Sequence, residues 1–384
     1  MLKIAIIGTG AIAPFHVQAY KKFSDKCKIV ALCDIYPDKA KKLADKSNLE
    51  VDIYDNHEEL LTREDIDLVS VCTPPYTHAE IAINFLNAGK HVVVEKPMAS
   101  SLEECDAMND AAARNNKLLS VIAQNRFTTP MMKLKHVLET ELMGPIVHTQ
   151  VDSHWWRGHC YYDLWWRGTW EKEGGGCTLN HAVHHIDIFK WMNGMPSEVT
   201  AVMSNTSHDN AEVEDISVAI CRYDNGSIAQ ITSSVIHHGE EQQLIFQGKR
   251  ARVSVPWKVT ASQSKQNGFP EPDRELENQL QKIYEEQPDV KYEGHSGQLL
   301  DVMLAIEGKK PLLVDGLQGR QTLELITAIY QSASLGQSVK LPLNEKSPFY
   351  TRDGVMKNAI HFYEKKTSVT GFSENEIKAG GTSN

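Results

Sequence analysis

Between Gly174 and Trp191 the stretch GGGCTLNHAVHHIDIFKW sets one cysteine, three histidines, an asparagine and an aspartate within a few turns of chain. Wound as a helix, it puts Asn180, His184 and Asp187 on one face and His181, His185 and Ile188 on the neighbouring one. Two kinds of chemistry suit these residue types. An imidazole can take the proton of a bound hydroxyl while a carboxamide orients it or holds a second hydroxyl. Alternatively, Cys177, His181 and His184 or His185, at i, i+4 and i+7 or i+8, could line a zinc site on one face. The chain holds no HExxH and no CxxC, and a fourth ligand would have to come from elsewhere. The reading without a metal is therefore preferred. For His181 and His185, substrate contact and hydrogen-bonded packing in the core both stand.

A second constellation opens the chain. KIAIIG, from Lys3 to Gly8, is a run of apolar residues suited to a strand buried on both faces. It leads into Gly8-Thr9-Gly10-Ala11-Ile12-Ala13, a GxGxxA pattern, and then into a helical segment reaching about Lys22. Gly8 permits the tight turn, Gly10 lets backbone approach a pyrophosphate, and Ala13 allows close helix–strand packing. Ala11 and Ile12 then sit where free N–H groups at the helix start attract phosphate. The next strand, KIVALCD, ends in Asp34, 24 positions after Gly10. A carboxylate there bonds the adenosine ribose hydroxyls and repels a 2′-phosphate, so NAD is expected rather than NADP.

These residues need a frame. LVSVCTP (Leu68 to Pro74), HVVVEKP (His91 to Pro97) and LLSVIAQ (Leu118 to Gln124) read as strands, with helices over Thr77–Leu86 and Leu102–Arg114 between them. Such alternation predicts an α/β fold, an N-terminal Rossmann doubly wound parallel sheet with ligands outside the carboxyl ends of its strands. Thr73, Pro74 and Glu95-Lys96-Pro97 fall at those ends, which separates Lys96 from an ordinary surface lysine.

After Asn125 the rhythm changes to consecutive strands over residues 146–153, 198–204, 216–223, 227–234, 242–247 and 251–255, with the hairpin signal Asp224-Asn225-Gly226 between two of them. This predicts a C-terminal α+β domain with a large open, mostly antiparallel sheet. The divisions expected are 1–124 for the dinucleotide-binding domain, 125–365 for substrate binding and oligomerisation, and 366–384 for a polar, loosely ordered tail. Residues 258–294 are polar and read as an insertion, either a lid over substrate or a solvated loop and helix.

The totals agree with such a protein. The 384 residues are 41% hydrophobic and 23% charged, as in a soluble globular chain of about two domains. A net charge of -10 leaves no basic surplus for a nucleic-acid partner. No apolar run approaches the ~20 residues that span a bilayer, so no membrane partner is expected. Seven scattered cysteines fit reduced thiols in a cytoplasm.

Taken together, GTGAIA, Asp34, HVVVEKPMA and the glycine-triplet helix resemble the Gfo/Idh/MocA oxidoreductases, and GHSGQLLDVMLAIEGKKP and AIYQSASLGQSVKLP resemble that family's late segments. The resemblance spans nearly the whole chain. It implies that Lys96 reaches the oxygen of the reacting carbon beside the nicotinamide, with the glycines of residues 174–176 allowing close approach to the cofactor. It also implies that the Lys96–Pro97 bond is cis. The family's GGGxLxDxGxHxxD pattern places its histidine on His184 and its aspartate on Asn180, a departure, since asparagine can only orient the histidine or bind a hydroxyl. Arg126 and the aromatic run WWRGHCYYDLWWRGTW (Trp155 to Trp170) match segments bordering cofactor and substrate. The implied set is then Lys96, His184 and Asn180 for catalysis. Thr73, Pro74, His78, Glu95, Lys96 and Arg167 join the glycine loop and Asp34 for cofactor. Arg126, Trp166, Lys96, Asn180, His181 and His184 are left for substrate.

The activity expected is an NAD-dependent transfer of hydride between the nicotinamide and a secondary hydroxyl of a sugar, sugar derivative or cyclitol, without a metal. A glycoside hydrolase or lyase using NAD for transient oxidation is the alternative, and a nucleotide-binding sensor without turnover the third reading. A homo-oligomer, dimer or tetramer, formed through the C-terminal sheet is expected.

Overall fold

The computed structural model describes residues 1–371; the end of the expected tail, 372–384, lies outside the described residues. The first third winds β1 (Leu2–Ile7), α1 (Ala13–Lys21), β2 (Cys27–Cys33), α2 (Pro37–Ser47), β3 (Asp52–Tyr54), β4 (Leu68–Val71), α3 (His78–Asn87), β5 (His91–Val94), α4 (Leu102–Arg114) and β6 (Leu119–Val121). All six strands pair in parallel in the order β3-β2-β1-β4-β5-β6. That order reverses direction between β1 and β4, which opens a crevice at their carboxyl ends. The strands lack alternation because both faces are covered: Leu68, Val69, Ser70 and Val71 are all buried. Only β3 went unread in the sequence, being three residues long with one edge unpaired.

The second part begins with α5 (Thr129–Glu139) and β7 (Ile146–His154), then α6 (Cys177–Asn180), α7 (Val183–Asn193), β8 (Glu198–Ser204), β9 (Ile216–Arg222), β10 (Ile228–Ser234), β11 (Gln242–Gly248), β12 (Ala251–Val255), β13 (Lys258–Ser264) and β14 (Pro270–Pro272). It closes with α8 (Arg274–Glu286), α9 (Gly294–Ile306), α10 (Gly316–Leu335), β15 (Val339–Lys340) and α11 (Arg352–Asn358). Nine strands form one sheet, β14-β13-β12-β11-β7-β10-β9-β8-β15, in which β7 and β10 pair in parallel and every other neighbour is antiparallel. Along β9 buried and exposed residues alternate, so one face meets helices and the other is open. The DNG turn joins β9 to β10, with Gly226 at φ 84°.

Three features differ from the sequence reading. Residues 258–294 are neither a lid nor a bare loop: β13 and β14 extend the sheet, and α8 lays Leu276 and Leu280 into the core. Two buried leucines on a thirteen-residue helix leave little apolar signal to read. Helix α9, though late in the chain, packs Leu299, Val302 and Met303 into the core of the first sheet beside Val17 and Tyr20 of α1. Residues 366–369, the start of the expected tail, are docked rather than loose. Val369 bridges Leu164, Asn210 bonds both faces of the Thr367 peptide, and Lys365 donates to the Tyr162 carbonyl. Residues 365–369 thereby fasten the aromatic loop of residues 155–170.

Candidate active site

The glycine loop sits between β1 and α1. A Cβ at Gly8 would stand 2.7 Å from the Cys72 carbonyl oxygen, so the turn needs glycine there, whereas a Cβ at Gly10 would meet nothing within 4 Å. The open side of Gly10 faces solvent, as a phosphate approach requires. Ala11 is exposed beside it, Ile12 is half-buried, and Ala13 is fully buried against the sheet. Asp34, at the end of β2, accepts from Thr9 N (2.8 Å), Thr9 Oγ1 (2.7 Å) and Tyr36 N (3.0 Å). Its carboxylate thus braces the loop that would carry the phosphates, and the cradle suits a dinucleotide.

Thr73 and Pro74 follow β4 at the carboxyl edge, both half-buried. His78, expected at the cofactor, lies deeper. It is fully buried, with Nδ1 at 2.9 Å from the Pro97 carbonyl and Nε2 at 2.8 Å from the Thr73 carbonyl. It clamps the ends of β4 and β5 together and exposes no edge to a ligand. Glu95 is likewise turned inward. Its Oε1 meets His16 Nε2 (2.9 Å) and His295 Nε2 (3.2 Å), and the three donor atoms lie within 4.8 Å of one another.

Lys96 comes next, through a cis bond to Pro97. Its Nζ donates to the Asn180 backbone carbonyl at 3.3 Å. Burial pushes the ammonium below its ordinary value, and the charge of Glu95 opposes that shift. His184 is near enough for the Lys96 charge to act on it, and behind the two lies a void of about 20 Å³ closed by apolar residues such as Val121, Val314, Leu323 and Ile326. Burial, followed by the charge of Lys96, holds the His184 imidazole well below the ordinary histidine value, so it is neutral near pH 7.

The helix carrying these histidines is built differently from a single periodic run. The chain forms one turn, α6, then breaks at His181 and Ala182 before α7. The glycines are there for close protein packing. A Cβ at Gly175 would stand 2.3 Å from Tyr330 Oη, and one at Gly176 would stand 2.0 Å from the Glu214 carbonyl oxygen. The buried Glu214 carboxylate accepts from Gly176 N, Thr178 N and Tyr330 Oη, satisfying the free N–H groups that begin α6. Spacing gave no hint of Glu214 or Tyr330, which lie 36 and 151 residues beyond the N–H groups they serve. Asn180 spends its amide on Gly175 O (3.0 Å) and Gly176 O (3.3 Å), leaving Oδ1 free.

The remaining residues divide. His181 is buried with Nε2 at 3.4 Å from Tyr161 Oη, and its Nδ1 has no partner. His185 faces the sheet, with Nδ1 at 2.9 Å from Ser153 Oγ, and is packing rather than site. Arg167 lies between the rings of Tyr161 and Trp166, 4.1 and 4.2 Å from their centroids, and Nη1 meets Glu173 Oε1 at 2.9 Å. Its Nε is buried without a partner among the described residues. Burial raises Glu173 to about 7 despite that arginine. Arg126 does not reach the cleft. It is 0% exposed, with Nε and Nη2 each 2.7 Å from Asp187 and both Nη atoms 3.1 Å from Gln318 Oε1. Cys177 is buried against Glu214 and the Ser233 carbonyl, so it does not join His181 and His184.

Two family models match this arrangement. Residues 2–123 fit the oxidoreductase family's NAD-binding Rossmann fold, and residues 135–341 fit the same family's C-terminal alpha/beta domain. The D-glucoside 3-dehydrogenase of Escherichia coli K12 is 26% identical over 88% of this chain and 97% of its own length. The inositol 2-dehydrogenase/D-chiro-inositol 3-dehydrogenase of Shouchella clausii is 26% identical over 66% of this chain and 72% of its own. Among solved structures, the WlbA dehydrogenase of Bordetella pertussis, in complex with NADH and UDP-GlcNAcA, superposes with a TM-score of 0.76 at 27% identity. That match covers 89% of this chain and 98% of the other.

Proposed function

Because the chain belongs to the Gfo/Idh/MocA oxidoreductase family, with its NAD-binding Rossmann fold, we propose that it reversibly oxidises a secondary hydroxyl of a sugar, sugar derivative or cyclitol. The observation that carries this reading is Lys96 at the carboxyl end of the parallel sheet, bonded through Nζ to the Asn180 carbonyl, with a neutral His184 close enough to feel its charge. NAD, when bound, accepts the hydride from the carbinol carbon. The protein handles the proton: His184, or Lys96 Nζ in its neutral form, takes it from the hydroxyl, and the other hydrogen-bonds the same oxygen. Asn180 fixes Lys96 through its carbonyl and has Oδ1 left for a second hydroxyl. Tyr161, Trp166 and His181 offer apolar faces and polar edges suited to a sugar ring. The relative matched over nearly its whole length is a glucoside 3-dehydrogenase, so hexopyranosides are the first substrates to try.

The test is a screen of glycosides, free sugars and cyclitols for NADH absorbance with purified protein. No turnover with any of them would sink the dehydrogenase reading, and NAD retained through purification with no net NADH would favour transient oxidation instead. Asp34→Ala is expected to weaken NAD by roughly 10–100-fold, since charge-assisted hydrogen bonds contribute about 1.5–3 kcal/mol, and to narrow the gap to NADP. Fluorescence titration with both dinucleotides measures it. A native preference for NADP would remove the role given to Asp34.

We also infer a homo-oligomer, built through the open face of the nine-stranded sheet. Val202, Val218, Ile220 and Ile228 are 68, 37, 40 and 45% exposed there on neighbouring strands. Such a patch favours self-association. Ile220→Asp should shift the mass measured by light scattering to that of one chain, and a wild-type protein already monomeric at micromolar concentration excludes the idea. Among the described residues no helix is long and apolar enough to cross a membrane, and seven free thiols suit a reducing compartment such as the cytoplasm.

A further inference from the structure

We propose that His295 and His16 are positioning residues for Lys96. Between them they pin the Glu95 carboxylate in one ionised orientation directly beneath the reacting lysine, and His295 makes that arrangement depend on the docking of α9. The inference rests on the reading of Lys96 as a proton-handling group and goes beyond it to what sets its proton affinity.

The geometry is a closed set of donors and acceptors. An ionised carboxylate only accepts. Glu95 Oε1 takes His16 Nε2 at 2.9 Å and His295 Nε2 at 3.2 Å, while Oε2 takes the backbone N–H of Lys96 at 3.2 Å. Both imidazoles therefore carry their proton on Nε2, a tautomer that follows from the acceptor set. His16 Nδ1 is then free to accept from Ser70 Oγ at 3.2 Å, and Ser70 in turn accepts from Tyr20 Oη at 2.7 Å. Every polar atom in the series Tyr20, Ser70, His16, Glu95 is matched. A cation at the same place would need nitrogen lone pairs where the carboxylate requires N–H groups.

Position gives the set its consequence. Glu95 is 5% exposed and sits next in the chain to Lys96. Burial works against its charge, yet the bonds from His16 and His295 overcome that and hold the carboxyl well below the ordinary range. The charged or titratable groups around Lys96 are Glu95 on its own strand end, Arg167 and Glu173 on the aromatic loop, and His181 and His184 on the site helices. Glu95 in addition faces Cys72 after β4 and His78 on α3, both buried. Among these, Glu95 is the opposing charge that most raises the proton affinity of Lys96.

His16 is fixed in the first turns of α1, but His295 arrives from 200 residues away. It is carried by α9, which is held to α1 by Lys22 Nζ on Ser296 Oγ at 3.0 Å and to β6 by Gln298, whose Oε1 accepts from Ala123 N at 2.9 Å. Packing of Phe23 edge-on to Tyr292, with ring centroids 4.9 Å apart, secures the approach.

The experiment uses the full chain with NAD and its best substrate from the screen, in the variants His295→Ala, His295→Gln and Glu95→Gln. Losing one donor frees the carboxylate to turn away from Lys96. Less negative charge then faces Lys96, and the lysine gives up its proton at lower pH. His295→Ala should lower kcat by roughly tenfold and move the acid limb of the kcat–pH profile down by about half a unit or more. KM and the NAD dissociation constant should stay within about threefold, as uniform binding is untouched. Glu95→Gln should move the limb further in the same direction. His295→Gln, whose amide can donate to the same oxygen, should bring the limb back towards the native position.

A second readout needs no turnover. Titration of the Lys96 resonance in protein labelled with 15N at lysine Nζ, assigned by its loss in Lys96→Met, should show the same downward shift in His295→Ala. If the limb and the resonance stay put in both His295→Ala and Glu95→Gln, the positioning role is wrong even though the dehydrogenase stands. If the resonance shifts but no substrate is ever oxidised, the dehydrogenase reading fails alone. Loss of native activity on exhaustive chelation, restored by zinc, would replace the hydrogen-bonded set with a metal site and overturn the proposal.

Discussion

Lys96→Ala is expected to cut kcat by ~10²-fold or more, the size usual for a positioned proton-transfer group, while NAD binds within about twofold of its native affinity. Among the described residues Lys96 Nζ bonds one protein carbonyl, that of Asn180, and its charge acts on His184. Removing it leaves the glycine loop and Asp34 intact. Lys96→Arg separates charge from proton transfer: guanidinium keeps the positive charge but does not deprotonate in this range, so it should be nearly as inactive as alanine. The native oxidation rate should rise with pH and then level. Both His184 and Lys96 have proton affinities depressed by burial, so each loses its proton below its ordinary pH, and turnover is lost as pH falls through those points. Single-turnover absorbance at 340 nm together with a dinucleotide titration checks the prediction. An alanine variant with native kcat would take Lys96 out of the mechanism.

The second large effect is on stability. Arg126→Met should destabilise the protein by about 3–5 kcal/mol, the usual cost of leaving a buried charge without its partner. Asp187 is held on both oxygens by Arg126 and on Oδ1 by Thr322 Oγ1 at 2.8 Å; once the arginine is gone, Lys190 Nζ, 4.0 Å away, is the nearest remaining cation. The double variant Arg126→Met/Asp187→Leu should recover a large part of the loss, because two apolar groups replace two charges. Urea and thermal melts read this out, and a single-variant loss under about 1 kcal/mol would contradict it. KM of the folded fraction should not change, since Arg126 lies behind the site helix rather than in the cleft.

Where the sequence was legible, one local rule governed the residues concerned. Gly8, Gly10 and Asp34 are tied by the geometry of a single βαβ turn, and strands such as HVVV and ISVAICR declare by their patterning whether one face or two are covered. Lys96 was readable because a charged residue at a strand end in a parallel sheet is placed by topology. Arg126 misled because adjacency to the site in sequence says nothing about direction: its side chain turns under α7 to Asp187, 61 residues on. His78 misled in the same way, facing two carbonyls instead of the crevice. His16, Glu214 and His295 carried no signal, since each acts through partners tens to hundreds of residues distant. The break at His181 was hidden because no glycine or proline marks it; close passage of Gly175 and Gly176 against Tyr330 and Glu214 sets where α6 must start.

The docking of Val369 on Leu164 and of Lys365 on Tyr162 bears on how such an enzyme changes hands between substrates. The loop carrying Tyr161, Trp166 and Arg167 is clasped through Leu164, Asp163 and Tyr162 by residues 365–369. What the cleft admits is thereby coupled to residues 365–369, far along the chain from the chemistry around Lys96.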